Sequence, residues 1–298
     1  MRSKTVVYIA LVSDLLIAVT KFLVAAITRS SAMASEGVHS VIDCISQLLL
    51  LWGIRKSKQK ADDKRPFGYG RELYFWSFIV SLTMFSMGGC ISFYEGIGQF
   101  RKHTALSHLG WNYLVLAIGA VFTIISASAS LKVFNKQRGD ITFWKAILQS
   151  KDPAIFIVLL GDLGDLAGLF VAFLGIFFTH LFKDPGYDAI ASIIIGAILI
   201  CISLLLVRES RSLLLGEAPN KRTLRRIMDI VETDETVIKV KEHFSTYLAP
   251  DEVILQLVTV FKDDLNTQQI TEAIERIIKT VQLKYPKIKQ IFIEPHRK

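Results

Sequence analysis

Residues 32–54 read AMASEGVHSVIDCISQLLLLWGI, and residues 153–182 read PAIFIVLLGDLGDLAGLFVAFLGIFFTHLF. At about 1.5 Å per helical residue, each is long enough to cross ~30 Å of hydrocarbon. Each also carries ionisable side chains near its middle, where a bare charge costs roughly 3 kcal/mol or more. In the first stretch His39 and Asp43 stand at i and i+4, one turn apart on one helix face. Glu36 precedes His39 by three positions and joins that face. In the second, Asp162 and Asp165 stand at i and i+3. An imidazole and several carboxylates on two helices suit a divalent cation. Two such pairs on separate helices are hard to explain as ordinary polar packing, so Glu36, His39, Asp43, Asp162 and Asp165 are candidate metal ligands.

Outward from these stretches, four more apolar runs have spanning length: Thr5–Ile27, Leu73–Ile97, Trp111–Phe134 and Tyr187–Val207. Pro153 suits the first turn of its helix, where the missing N–H costs nothing. The composition agrees with six spans. Of the 298 residues 51% are hydrophobic, and the mean hydropathy is +0.41, which excludes a disordered or collagen-like chain. Three cysteines, Cys44, Cys90 and Cys201, are odd in number and sit in apolar runs, which excludes a disulfide scaffold.

The net charge of +8 would point to nucleic acid in a soluble protein, but its distribution gives another cause. With six spans, the N-terminus, the second and fourth loops and the C-terminus share one side. Before the C-terminal part that side holds 14 basic residues, from Arg2 and Lys4 through Arg55–Arg71 to Lys132–Lys151. The opposite side holds four: Arg29, Arg101, Lys102 and Lys183. The positive-inside rule places both termini in the cytoplasm and makes the lipid bilayer, not nucleic acid, the expected partner.

Residues 208–298 carry 16 Lys+Arg against 14 Asp+Glu and lack spanning runs. The expected organisation is a six-helix transmembrane domain over residues 1–207, a linker over 208–220 and a small cytoplasmic domain over 221–298. Leu224, Ile227, Met228 and Val231 recur at helical spacing; Val237–Phe244 and Glu252–Lys262 alternate as strands. A helix over Thr267–Leu283 and a strand over Ile288–Ile293 complete an αββαβ order, with helices on one face of a three-stranded sheet. A domain this small gains from self-association. His243 and His296 are its possible metal ligands, although isolated histidines are more often surface residues.

The remaining polar residues of the spans have plainer readings. Asp14 and Lys21 lie seven apart on the first span, nearly on one face; they either neutralise each other or face the second and fifth spans, and a structural role is the readier reading. Gln47 extends the Asp43 face by one turn toward a neighbouring helix. The run Ser126–Ser130 reads as close helix packing.

Several motifs, in order, resemble the cation diffusion facilitators, dimeric exporters of zinc and related divalent metals. His39-Ser-Val-Ile-Asp43 resembles the family's HxxxD. Phe67-Gly-Tyr-Gly-Arg-Glu72 resembles the start of its third helix, and Gly164-Asp165-Leu-Ala-Gly the end of its fifth-helix motif. Leu215-Gly-Glu-Ala-Pro219 resembles the segment leading to the cytoplasmic domain, and Glu294-Pro295 its closing strand. The resemblance covers nearly the whole chain. It implies an α-helical polytopic membrane protein with a ferredoxin-like (metallochaperone-type) α/β tail, homodimeric through that tail. It also implies export of Zn²⁺, or of Mn²⁺, Fe²⁺ or Co²⁺, in exchange for protons, with the plasma membrane as the expected location and no organic cofactor.

The fifth helix departs from the pattern. Where the family carries His, Asp or Glu four residues before the aspartate, this chain has Gly161. Asp162 is the nearest replacement, but one residue turns a helix by ~100°; Asp162, Glu36 or water are open as the further ligand. An oxygen-rich set accommodates harder ions better than a histidine-rich one. In the tail, Gln268 and Gln269 stand near where many members place a histidine. Two rivals remain at this stage. An intramembrane metalloenzyme needs a base beside an open metal position, and no HExxH run is present. A metal sensor that no longer transports would fit the missing ligand at Gly161.

Overall fold

The computed structural model describes residues 2–28, 31–102, 109–184 and 186–296. The spans form helices α1 (Arg2–Thr28), α2 (Ser31–Lys56), α3 (Glu72–Thr83), α4 (Ile91–Lys102), α5 (Leu109–Arg138), α6 (Phe143–Gln149), α7 (Pro153–Phe182) and α8 (Gly186–Leu215). Among the described residues, five stretches have both the length and the apolarity to cross a membrane: Ser3–Ile27, Glu72–Gly98, Gly110–Arg138, Pro153–Phe182 and Gly186–Leu215. The other expected span is α2, 26 residues long. It packs along α1, which also touches α5 and α7. The fold is thus a polytopic helical membrane protein with a small α/β tail.

Helix ends follow local chemistry. Pro153 occupies the first turn of α7, and the preceding Asp152 accepts a hydrogen bond from the Ser3 hydroxyl. Lys183 closes α7 in the left-handed conformation at φ 54°. The short helix α6 lies outside the expected elements, between α5 and α7.

The third span differs from the expected unbroken helix. Between α3 and α4 the backbone widens into a π-helical turn, Met84–Cys90. This turn contains Gly88 and Gly89, and a Cβ on Gly89 would lie 2.7 Å from Ile200 Cγ1 and 3.0 Å from the Ile200 backbone nitrogen. The missing side chain lets α8 approach the turn closely. Such π turns are frequent at functional sites.

The chain divides into two compact units, Met1–Gln59 with Glu72–Arg211, and Lys60–Arg71 with Ser212–Lys298. The apolar runs predict that residues 60–71 belong to the membrane part and that this part ends at residue 207. In the structure α8 runs on to Leu215, and the 60–71 loop packs with the C-terminal unit. The glycines of the Phe-Gly-Tyr-Gly motif explain how. Gly68 has φ 80°, and a Cβ on Gly70 would stand 2.7 Å from the Leu248 carbonyl oxygen, so the loop lies directly on the end of β1 (Val237–Ala249). The loop's own turn is held by Asp62, which accepts from the Tyr69 hydroxyl at 2.7 Å and the Arg65 backbone at 2.8 Å. Those bonds hold the Asp62 carboxyl below its ordinary range. Gly216, at φ 109°, ends α8, and the Glu217 carbonyl accepts from the Tyr247 N–H at 2.9 Å.

The rest of the C-terminal unit has the order α9 (Lys221–Glu232), β1, β2 (Glu252–Phe261), α10 (Thr267–Lys284) and β3 (Ile288–His296). The sheet order is β1-β2-β3. β1 and β2 pair antiparallel, β2 and β3 parallel; the parallel pair needs a crossover, which α10 supplies. Leu224, Ile227 and Val231 of α9 and Ala273, Ile277 and Val281 of α10 pack on Leu255 and Leu257 of β2. Asn220 caps α9 by accepting from the Arg222 N–H at 3.0 Å. Asn266 and Gln269 form a reciprocal capping box on α10.

Candidate metal centre

The apolar faces of the spans must pack together, and the polar residues they carry are thereby brought to one place. A cavity of about 40 Å³ lies within the first unit; a single water needs ~10–15 Å³. Its walls include Asp14 of α1, His39, Asp43, Ser46 and Gln47 of α2, Met84 and Gly88 of the π turn, and Gly161, Asp162 and Asp165 of α7. Asp162 is buried, at 5% exposure. Asp14, His39 and Asp43 are half-buried.

Four of the five residues expected as ligands therefore border the same space. Glu36 falls on α2, but its side chain lies outside the described residues. Gly88 borders His39: a Cβ there would stand 4.0 Å from His39 Cε1. The Gly161 position is also accounted for. The space a Cβ would enter is met at 3.4 Å by Met84 Cε, so the π turn covers the side of α7 that lacks a ligand.

Asp162 is turned toward α5, as the ~100° step along a helix allows. Its Oδ2 accepts from Ser126 at 2.8 Å and from Ser130 at 3.4 Å. The Ser126–Ser130 run thus supplies donors as well as close packing. Asp14, for which a structural role is the readier of the two readings from sequence, is a wall of the cavity beside residues of α2 and α7. Asp43, Asp165 and Asp162 are its charged neighbours, and the Gln47 side chain donates to it. Lys21 acts on Asp165. The signal that points to Asp14 is the one used for the others, a carboxylate in mid-span, but it lacks a partner at i+3 or i+4.

These groups surround a space rather than a point. Among the described residues, no three His, Cys, Asp or Glu side chains stand close enough to chelate one ion. The arrangement instead gathers carboxyl groups and an imidazole around a small volume between helices, a donor set that suits a cation.

The two histidines of the tail do not converge. His243 pairs with Leu257 and His296 with Val260, on opposite edges of the sheet and about 10 Å apart along the strand direction. His296 Nε2 instead lies 2.8 Å from Lys241 Nζ.

Residues 7–215 match the model of the cation efflux transmembrane domain, which is well over half of the chain. The chain belongs to the cation efflux family. This cation efflux protein is 29% identical over 255 residues to the mouse protein named proton-coupled zinc antiporter SLC30A9, mitochondrial, covering 85% of this chain and 45% of that one. It is 26% identical over 253 residues to metal tolerance protein C4 of Arabidopsis thaliana, covering 84% and 55%. It is 24% identical over 252 residues to the manganese efflux system protein MneP of Bacillus subtilis, covering 81% and 80%. The chain spans about half the length of the mouse and plant relatives. Family and relatives group the chain with transporters and not with enzymes. The expected plasma-membrane location finds no support in a relative whose name is mitochondrial.

Proposed function

We propose that this protein moves divalent metal cations, with zinc as the leading substrate, out of the compartment its basic loops face and in exchange for protons. The observation that carries this reading is the gathering of His39, Asp43, Asp162 and Asp165 from two spans around one cavity. Asp43 and Asp165 supply the charge that offsets dehydration of the ion. His39 binds as the neutral imidazole, so metal and protons compete for it. Asp162, held by two serine hydroxyls, adds negative charge from the α5 side. The names of the mouse and Bacillus relatives support zinc and manganese respectively as substrate classes, and the former supports proton coupling.

The test is ion flux into proteoliposomes for Zn²⁺, Mn²⁺, Fe²⁺ and Co²⁺, with and without an imposed pH gradient. Asp43→Ala with Asp165→Ala is expected to lower flux by on the order of 100-fold or more. Wild-type flux in that double variant would remove the site assignment. Flux that ignores the pH gradient would remove antiport.

The C-terminal unit fits the role of homodimer contact. Phe244 of β1 and Phe292 of β3 flank Gln256 in register and are 57% and 49% exposed. Two aromatic rings on an exposed sheet face favour burial against a second copy. Phe244→Asp with Phe292→Asp is expected to shift the purified protein toward monomer in light scattering.

A further inference from the structure

Beside the groups named above, the same cavity holds two oxygen atoms with nothing to bond. Ser46 is only 4% exposed, borders the cavity, and its Oγ is buried without a hydrogen-bond partner. Oε1 of Gln47, the next residue, is likewise buried and unpartnered. A buried polar atom left unpaired carries a desolvation cost and calls for an explanation in a ligand or solvent. The third wall of this corner is Asp14, which takes a hydrogen bond from Gln47 and has three carboxylates as its charged neighbours. Three oxygen-bearing groups from two helices thus line the cavity beside its other carboxylates.

Position along the helix adds a direction. Gln47 follows Asp43 by one turn, or ~5.4 Å, on the way to Arg55 and Lys56 at the basic end of α2. An ion coming from the side of the basic loops passes this corner before it reaches His39 and Asp43.

We propose that Asp14, Ser46 and Gln47 form a separate oxygen seat for a partly hydrated divalent cation, where the cargo is loaded before it reaches His39 and Asp43. One carboxylate, one amide oxygen and one hydroxyl, completed by water, suit a hard or borderline cation that keeps part of its hydration shell. The seat does not require three acidic or imidazole ligands to converge. Its role as a loading point rests on the transport reading, whereas its occupancy does not.

The experiment is Mn²⁺ titration of the purified full-length protein in nanodiscs, followed by electron paramagnetic resonance, beside Mn²⁺ flux in proteoliposomes. Asp43→Ala with Asp165→Ala is expected to keep one class of bound Mn²⁺. Adding Asp14→Asn is expected to weaken that class at least about tenfold, and adding Gln47→Glu to the triple variant is expected to restore it. The rescue separates loss of a ligand from loss of fold. In transport, Asp14→Asn alone is expected to raise the KM at least about tenfold, a loss overcome by more Mn²⁺, whereas Asp43→Ala stops flux at every concentration. No residual binding in the double variant, or residual binding indifferent to Asp14→Asn, overturns the seat. Absence of flux in the wild type with the residual binding intact overturns the transport reading and leaves the seat standing.

Discussion

The two units treat a carboxylate in opposite ways. In the C-terminal unit Asp234 is held by a resident cation: Arg276 donates to it from Nε and Nη2, both at 2.8 Å, and Thr236 adds its N–H and hydroxyl. In the membrane unit Asp162 is held by two hydroxyls, and Gln47 donates an amide to Asp14. Neutral donors fix where a carboxylate sits without cancelling its charge. Asp234 is therefore finished as a structural element, while the acids of the cavity are held by hydroxyl and amide donors that leave room for a mobile cation. Lys21 acts on Asp165, but one ammonium faces several acids. The contrast separates a charge that holds a fold from a charge kept for cargo.

The most direct way to break this contrast is to give the cavity a resident cation of its own. Met84 borders the cavity and meets the empty side of Gly161, so Met84→Lys places an ammonium among the carboxylates. An opposite charge at ~4 Å is worth about 4 kcal/mol at an effective dielectric near 20, enough to lower flux by on the order of 100-fold. Met84→Leu, which changes volume little, is expected to lose far less. Equal flux in the two variants would mean that the cavity's charge is not what the cargo reads.

A smaller effect should follow from loosening the neutral donors. Ser126→Ala with Ser130→Ala leaves the Asp162 charge in place but frees its direction. Groups that orient a ligand typically matter by ~10–100-fold, and the lower end applies here because Asp162 is one of several acids. Metal-dependent flux in the double variant, compared with Asp162→Asn, measures how much of the role is orientation and how much is charge.

Much of the fold was legible because the two halves of the chain use different periods. Long apolar runs announced the spans, with α7 found at Pro153–Phe182 as expected. The switch to strand alternation announced the tail, with β2 and α10 found within a residue of their expected ends. The site was half legible. His39, Asp43, Asp162 and Asp165 stood out because charge in mid-span is costly whichever way it points. What the sequence hid is direction. On α1 the polar pair Asp14 and Lys21 marks one face, but their spacing alone does not say whether that face pairs within itself or turns to the cavity. Nothing in Met84–Cys90 distinguishes a π turn from a continuous α-helix. The loop at 60–71 looked like any basic connection, because its attachment to β1 depends on the Gly70 approach to Leu248, a tertiary fact without a local period.

The smallest effect concerns the finished carboxylate. The Arg276 guanidinium, with the Thr236 donors, holds the Asp234 carboxyl down at about 2, against ~3.9 for a free aspartate. A carboxyl lowered on folding binds fewer protons in the native state, so it stabilises that state above the unfolded value. The contribution is therefore full above pH ~4 and fades as the pH falls through about 2. Arg276 is half exposed, so water screens the pair and the contribution at neutral pH is about 1 kcal/mol rather than the full linkage value. Asp234→Asn should thus speed hydrogen exchange of the β2 amides in the intact protein by roughly fivefold at pH 7 after correction for intrinsic rates. The difference from wild type should shrink toward zero near pH 2. A gap that persists there would assign the effect to lost hydrogen-bond geometry instead of lost charge, and Asp234 would then resemble the neutral-donor carboxylates of the membrane unit more closely than its arginine partner implies.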